Sequence, residues 1–364
     1  MSALKHNAEN ERLKRRYFAY LKEAKRYSES SLDEVANALH RFEVYTKFRD
    51  FRKFHIEQAI AFKRYFAVER NVRTDKPLSK ATQQRTLAVL KTFFHWLAGQ
   101  PGFRSRLSYA DADYFSLSEK DLRIARAIHD QRFPSLEQVH HVLAAMPVET
   151  EIDRRNRAVI ALSILTGARD SAIASLKLKH VDLVERCIRQ DARDVKTKFS
   201  KSFTSWFFPV GGDAVEIIGD WVAYLTHEKL FGNDDPLFPK TQVVVGAELR
   251  FEAQGLARKH WSTAAPIRQI FRHAFGAAGL PYFNPHSFRK TLTQLGERVC
   301  NTPEEFKAWS QNLGHENVMT TLMSYGSVTS CRQAEIIRQL GGPKVPANEI
   351  VSQMAALLAQ YQDK

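Results

Sequence analysis

Cysteine is scarce. The 364 residues hold three, Cys187, Cys300 and Cys331, odd in number, far apart and never in CxxC spacing. That pattern argues against a disulfide framework and against a zinc site, and predicts reduced thiols with structural roles. Long apolar runs are missing as well: nothing approaches the roughly 20 consecutive apolar residues that cross a bilayer. The N-terminal stretch MSALKHNAENERLKRRYFAYL has no apolar core of signal-peptide length, so the expectation is a cytoplasmic protein with no membrane partner. Three chemical signatures are absent too. There is no phosphate-cradling GxxxxGK[ST], no HExxH, and no carboxylate cluster of the two-metal nuclease kind.

What is present begins with charge. The 54 Lys and Arg against 40 Asp and Glu leave a formal net charge of +14, and a surplus of that sign favours a polyanion through long-range attraction and counterion release. Its distribution is uneven. Residues 1–133 carry 27 Lys and Arg against 16 Asp and Glu, whereas residues 134–364 carry 27 against 24. The basic N-terminal third therefore reads as a nucleic-acid-binding part. With 44% hydrophobic and 26% charged residues the chain is ordinary globular material, and its length suggests two domains at roughly 100–200 residues each.

Residues 8–98 read as amphipathic helices, with aromatic and aliphatic residues at three- and four-residue intervals. The clearest helix follows DKPLS, where Ser79 can cap it, and sets Leu87, Leu90, Phe94 and Leu97 on one face. Lys80, Gln83, Gln84, Arg85 and Lys91 occupy its other positions as candidate contacts to DNA phosphates and base edges. GQPG at 99–102 ends this bundle, and the polar, charge-mixed stretch after it, about 100–133, reads as an interdomain connection. A second domain, 134–364, opens at Pro134 with a capping box of Ser135 and Gln138. RAVIALSILTG is an apolar helix ending at Gly167, CIRQD and FTSWFFPV are two short strands around a polar turn, and helices dominate from about 265 onward. The fold expected is mainly α with a small β-sheet, an α+β arrangement.

Four segments of the second domain carry chemistry in a fixed order: TGARDSAIASL, VKTK, HSFR and LGHENVMTTLMSYG. A phosphodiester is a poor electrophile because its non-bridging oxygens hold the charge, so attack by an oxygen nucleophile needs fixed positive donors aimed at them. Arg169 and Arg289 suit this as a bidentate, permanently ionised clamp. His286 lies three residues before Arg289, which on a helix puts a proton carrier beside that clamp. Lys196 sits in the polar turn, a mobile place from which an ammonium can protonate a leaving oxygen, with Lys198 and Lys201 as close competitors.

In their order these segments resemble the catalytic domain of the tyrosine recombinase (phage integrase) family over residues 134–330, and the helical N-terminal part resembles that family's core-binding domain in general character. The resemblance implies a site-specific DNA recombinase, serving a mobile element, that works without ATP, metal or other cofactor. Its catalytic residues would be Arg169, Lys196, His286, Arg289, His315 as a further hydrogen-bond donor to phosphate, and Tyr325 as the nucleophile that forms a 3′-phosphotyrosyl bond. The partners implied are double-stranded DNA, three further protomers in a tetramer, and accessory DNA-bending or directionality proteins.

Two departures stand out. The family carries an acidic residue three positions after the first arginine, where this chain has Ala172, and ten residues separate His315 from Tyr325, one more than the family spacing. On a continuous helix one extra residue turns a side chain by about 100°. A catalytically inactive DNA-binding regulator on the same scaffold and a type IB topoisomerase remain alternatives on this reading. At the C-terminus, residues 348–362 (NEIVSQMAALLAQYQ) place Ile350, Val351, Met354, Leu357, Leu358 and Tyr361 on one helical face. That stripe suggests docking, onto a neighbouring protomer or onto its own domain.

Overall fold

The structure is a computed structural model that describes residues 6–71, 74–127, 132–197, 201–245 and 250–315. The chain divides into two compact units, 1–128 and 129–364.

The first unit is helical: α1 (Ala8–Glu23), α2 (Glu29–Tyr45), α3 (Ile56–Val68), α4 (Lys80–Ala98) and α5 (Glu119–Arg126). Local chemistry sets the starts, since the side chains of Asn7, Ser28, Ser79 and Ser118 each accept a backbone N–H from the first turn of α1, α2, α4 and α5. On α4, Leu87, Leu90, Phe94 and Leu97 are buried. They close on a cluster of phenylalanines in which Phe42 meets Phe62, Phe94 and Phe115 edge-on at 5.2–5.5 Å, a preferred geometry for rings whose edges are positive and faces negative.

The stretch expected to be an interdomain connection folds into this unit through residue 126. Phe103, Leu107, Ala112 and Phe115 are buried in its core, a 3-10 turn spans Tyr109–Phe115, and α5 is tied to α4 by the Lys80–Asp121 ion pair at 3.2 Å. Polar residues surround those anchors in the sequence and hide them.

The second unit opens with α6 (Leu136–Ala145), whose capping box of Ser135 and Gln138 forms in both directions. Then comes α7 (Glu151–Thr166), charged in its first half but buried without interruption from Ala158 to Thr166, which makes it the central helix of the unit. After the single turn α8 (Asp170–Ile173), strands β1 (Val181–Asp182), β2 (Cys187–Gln190) and β3 (Phe203–Trp206) form an antiparallel sheet in the order β1-β2-β3, with Cys187 opposite Trp206 and Gln190 opposite Phe203. Helix α9 (Ala214–Ala223) packs on α7, and the hairpin of β4 (Lys240–Val245) and β5 (Phe251–Ala257) follows. Helices α10 (Ala265–Ala277), α11 (Ser287–Val299) and α12 (Pro303–Asn312) complete the described part. The fold is α+β. No helix among the described residues is long and apolar enough to cross a membrane.

Candidate active site

Helix α7 ends where the chemistry begins. Gly167 caps it in the left-handed region at φ +60°, and a Cβ there would lie 2.7 Å from Leu313 Cδ2 and 3.1 Å from Leu292 Cδ1. Any other residue would meet both backbone strain and collision, of order 1–3 kcal/mol for the backbone alone. The glycine does a second job, because its carbonyl accepts a 2.7 Å hydrogen bond from Nη1 of Arg289 on α11.

Arg289 is buried, at 5% exposure. Its Nη2 donates to the Leu313 carbonyl at 2.6 Å and lies 2.6 Å from Nε2 of His315. A guanidinium only donates, so Nε2 of His315 is the acceptor and the imidazole proton sits on Nδ1. Gly314, between these two residues, is also left-handed at φ +69°, and the ring of Phe203 leaves no room for a Cβ. The LGH segment is thus bent tightly enough to bring a carbonyl and an imidazole to one arginine.

Arg169 is half-buried in the extended residue ahead of α8; its carbonyl accepts the Ile173 N–H at 3.0 Å, and its guanidinium has no hydrogen bond or ion pair among the described residues. No carboxylate neutralises either arginine there: Asp170 is paired instead with Arg268, Oδ2 to Nε at 2.8 Å. Burial lowers the pKa of both guanidinium groups, and Arg169 lowers that of Arg289 further. Both remain ionised at neutral pH, so among the described residues the site holds two positive charges that no carboxylate compensates, in a poorly hydrated setting.

His286 immediately precedes α11 and stays exposed. Its pKa is lowered, first by partial desolvation and then by Arg289 and Arg169, against a smaller raising effect of Asp170. His286 therefore feels the charge of both arginines, which favours its neutral form.

Lys196 lies between β2 and β3, yet its backbone is fixed. Its N–H donates to Ser175 Oγ at 2.8 Å, its carbonyl accepts from Ser171 Oγ at 3.3 Å, and its ammonium reaches the Ser262 carbonyl at 3.5 Å. The turn expected to be mobile is pinned at this residue, because two serines beyond Arg169 bracket its peptide groups. Of its competitors, Lys201 is described and engaged, whereas Lys198, the proposed nucleophile Tyr325 and the tail 348–362 lie outside the described residues.

The model of the phage integrase family matches residues 134–331, which holds all six of the expected catalytic residues. The chain belongs to the phage integrase family. It is a tyrosine-type DNA recombinase. The tyrosine recombinase XerC of Halalkalibacterium halodurans is 24% identical to this integrase over 302 residues, covering 80% of this chain and 87% of that one. The XerC 2 protein of Ralstonia nicotianae is 33% identical over a shorter 110 residues, 30% and 29% of the two chains. Among solved structures, a lambda integrase dimer bound to a COC′ core site matches at a TM-score of 0.58 with 12% identity, over 90% of this chain and 84% of that one. XerH bound to palindromic difH substrate, a post-cleavage complex, matches at 0.55 with 18% identity, over 89% and 83%. At such identities the likeness is one of fold.

In this integrase Ala172, at the family's acidic position, is buried at 1% exposure among core residues. A carboxylate there would have to be desolvated.

On α4 one expectation is corrected. Gln83 is buried at 3% exposure and its Nε2 donates to the Leu78 carbonyl at 3.0 Å, so its amide is engaged within its own fold rather than presented at the surface. Position 83 lies one turn before Leu87 on the same apolar stripe. Gln84 is half-buried. The three cations are ion-paired within the unit: Lys80 with Asp121, Arg85 with Glu34, and Lys91 with Asp113. Sequence reasoning missed the carbonyls of Gly167 and Leu313 as anchors of Arg289, and the serines that hold Lys196. The left-handed glycine was the only visible signal, since the other contacts join positions far apart in the chain.

Proposed function

We propose that the pair Arg169 and Arg289 receives a phosphate of double-stranded DNA and that Tyr325 attacks it. The observation that carries this reading is a cationic pair without a carboxylate among the described residues, one guanidinium buried and locked by two carbonyls and the other half-buried and unengaged. Two like charges in a desolvated site are costly unless an anion completes it. A phosphate offers paired oxygens that match the guanidinium fork.

The chemistry then balances as a transesterification. The Tyr325 oxygen bonds to phosphorus while its proton passes to neutral His286, and the bond from phosphorus to the 5′ oxygen breaks. That oxygen takes a proton from Lys196, and the 3′-phosphotyrosyl ester conserves the bond energy until another strand's 5′ hydroxyl reverses the step. Because each bond broken is replaced by one of similar energy, the reaction needs no nucleotide or metal. Recombination at specific sites of a mobile element is the biological setting proposed, with the protein associated with DNA in the cell.

Oligomerisation is the second part of the proposal. A groove of about 800 Å³ lies between β3 and α12, lined by Phe203, Trp206, Phe208, Val299 and Trp309, and Trp206 is 55% exposed. The apolar stripe of residues 348–362 from a neighbouring copy is its occupant, building a tetramer on two DNA sites. Truncation after residue 347 leaves DNA binding intact but removes the slow-migrating assemblies on native gels; assemblies that survive truncation sink this part.

The deciding experiment incubates wild type and Tyr325→Phe with supercoiled or nicked DNA carrying the element's ends, followed by denaturing gels. Covalent adducts on the 3′ side of the nick with wild type alone establish the nucleophile. Adducts from both proteins move it elsewhere, and none from either on a verified site refutes cleavage.

A further inference from the structure

We infer that Ser175 is a positioning residue for the reaction, holding the general acid Lys196 in register with Arg169. This rests on the proposed role of Lys196 and adds to it the group that sets where the ammonium can go.

The geometry is specific. Ser175 is buried, at 7% exposure, and lies six positions after Arg169 in the turn that continues α8. Its hydroxyl accepts the Lys196 N–H at 2.8 Å and turns its own proton to the Ala172 carbonyl at 3.0 Å or the Ser171 carbonyl at 3.1 Å. Ser171, one helical turn earlier, closes the bracket by donating its hydroxyl to the Lys196 carbonyl at 3.3 Å. Both peptide groups of the lysine are thereby tied to the segment that begins at Arg169. The preceding residues are fastened independently. Val195 is buried at 3% exposure, and Asp194 takes ion pairs of 2.8 Å from both Lys177 and Lys179.

Three consecutive residues are thus fixed, but only Ser175 reads the lysine's own N–H and passes the constraint to the first arginine. A flexible four-carbon side chain delivers a proton efficiently only when its Cα is placed, since misplacement by about 1 Å costs up to roughly 100-fold.

The test separates acid catalysis from folding by changing the leaving group. DNA with sulfur bridging to the 5′ carbon at the cleaved position expels a thiolate, which needs no proton, so a defect confined to the general acid vanishes on that substrate. The full-length chain is compared with Lys196→Ala, Ser175→Ala and Ser175→Thr for DNA affinity and for single-turnover cleavage of both substrates. On ordinary DNA, Ser175→Ala slows cleavage about 10- to 100-fold, less than Lys196→Ala, with affinity unchanged. On bridging-sulfur DNA both variants recover to wild-type rates, and Ser175→Thr, which keeps the hydroxyl, stays near wild type on both. If Ser175→Ala slows both substrates equally, or slows neither, the inference is wrong. If Lys196→Ala is not rescued by sulfur, the acid role itself fails and takes this inference with it, an outcome read from a different variant.

Discussion

A single imidazole carries the sharpest prediction at the scale of residues. His286 has a pKa lowered by desolvation and by Arg289 and Arg169, so the free protein holds it neutral at a pH where an ordinary imidazole, near 6.5, is partly charged. A phosphate between the two arginines supplies negative charge and raises that pKa. Binding of DNA near pH 6 is therefore accompanied by proton uptake, and affinity strengthens as the pH falls through that range. Calorimetry in buffers of different ionisation enthalpy reads the uptake directly. It is present in wild type, absent at pH 8 and lost in His286→Gln; binding heats independent of buffer at pH 6 would contradict a phosphate seated beside this ring. That Arg169, Arg289 and His286 come close enough to share one electrostatic environment was legible because the three stand in the order of the family's motif; their roles in the reaction are the proposal. The partners of Arg289 were not, since the Gly167 and Leu313 carbonyls lie 122 and 24 residues from it in the chain and carbonyls have no sequence signature.

Elements differ in how they announce themselves. Helix α4 was legible because one face is apolar, and Ser79 and the stripe from Leu87 to Leu97 behave as expected. Gln83 was misread because its residue type outweighed its position on the stripe. The hairpin β4–β5 gave no period-two signal, and a register shift between Thr241 and Val243 breaks what alternation there is. The tie between α1 and α2 was equally hidden. Glu43 on α2 is fully buried and accepts from Lys14 Nζ at 2.6 Å and Asn10 Nδ2 at 3.1 Å, both on α1. Burial works against the Lys14 charge, but its hydrogen bonds to Glu11 and Glu43 prevail and raise its pKa. Glu43→Ala leaves Lys14 paired with Glu11 alone, at 2.6 Å, and takes the buried acceptor from Asn10, which costs about 1–3 kcal/mol, with Glu43→Gln costing less because it keeps an acceptor for Asn10. Denaturant unfolding of the two variants decides, and a loss below about 1 kcal/mol for the alanine would mean the tie contributes little.

The whole molecule is basic, at +14, with the surplus concentrated in residues 1–133. Binding to DNA is accordingly expected to weaken by about 10³–10⁵ between 50 and 200 mM salt if six to ten phosphates are contacted. A titration of affinity against salt with Tyr325→Phe, which removes the cutting step, measures that slope, and a flat response would leave the charge surplus without a function. Such adhesion depends on composition and survives partial unfolding. The clamp does not, for Arg289 is held by a carbonyl from the end of α7 and another from beyond α12, and a glycine that tolerates no side chain joins the two. On the proposed mechanism, a nascent or damaged chain can therefore cling to the genome yet lacks the means to break it: cutting competence waits until α12 docks, and the fold itself acts as the safety catch on strand cleavage.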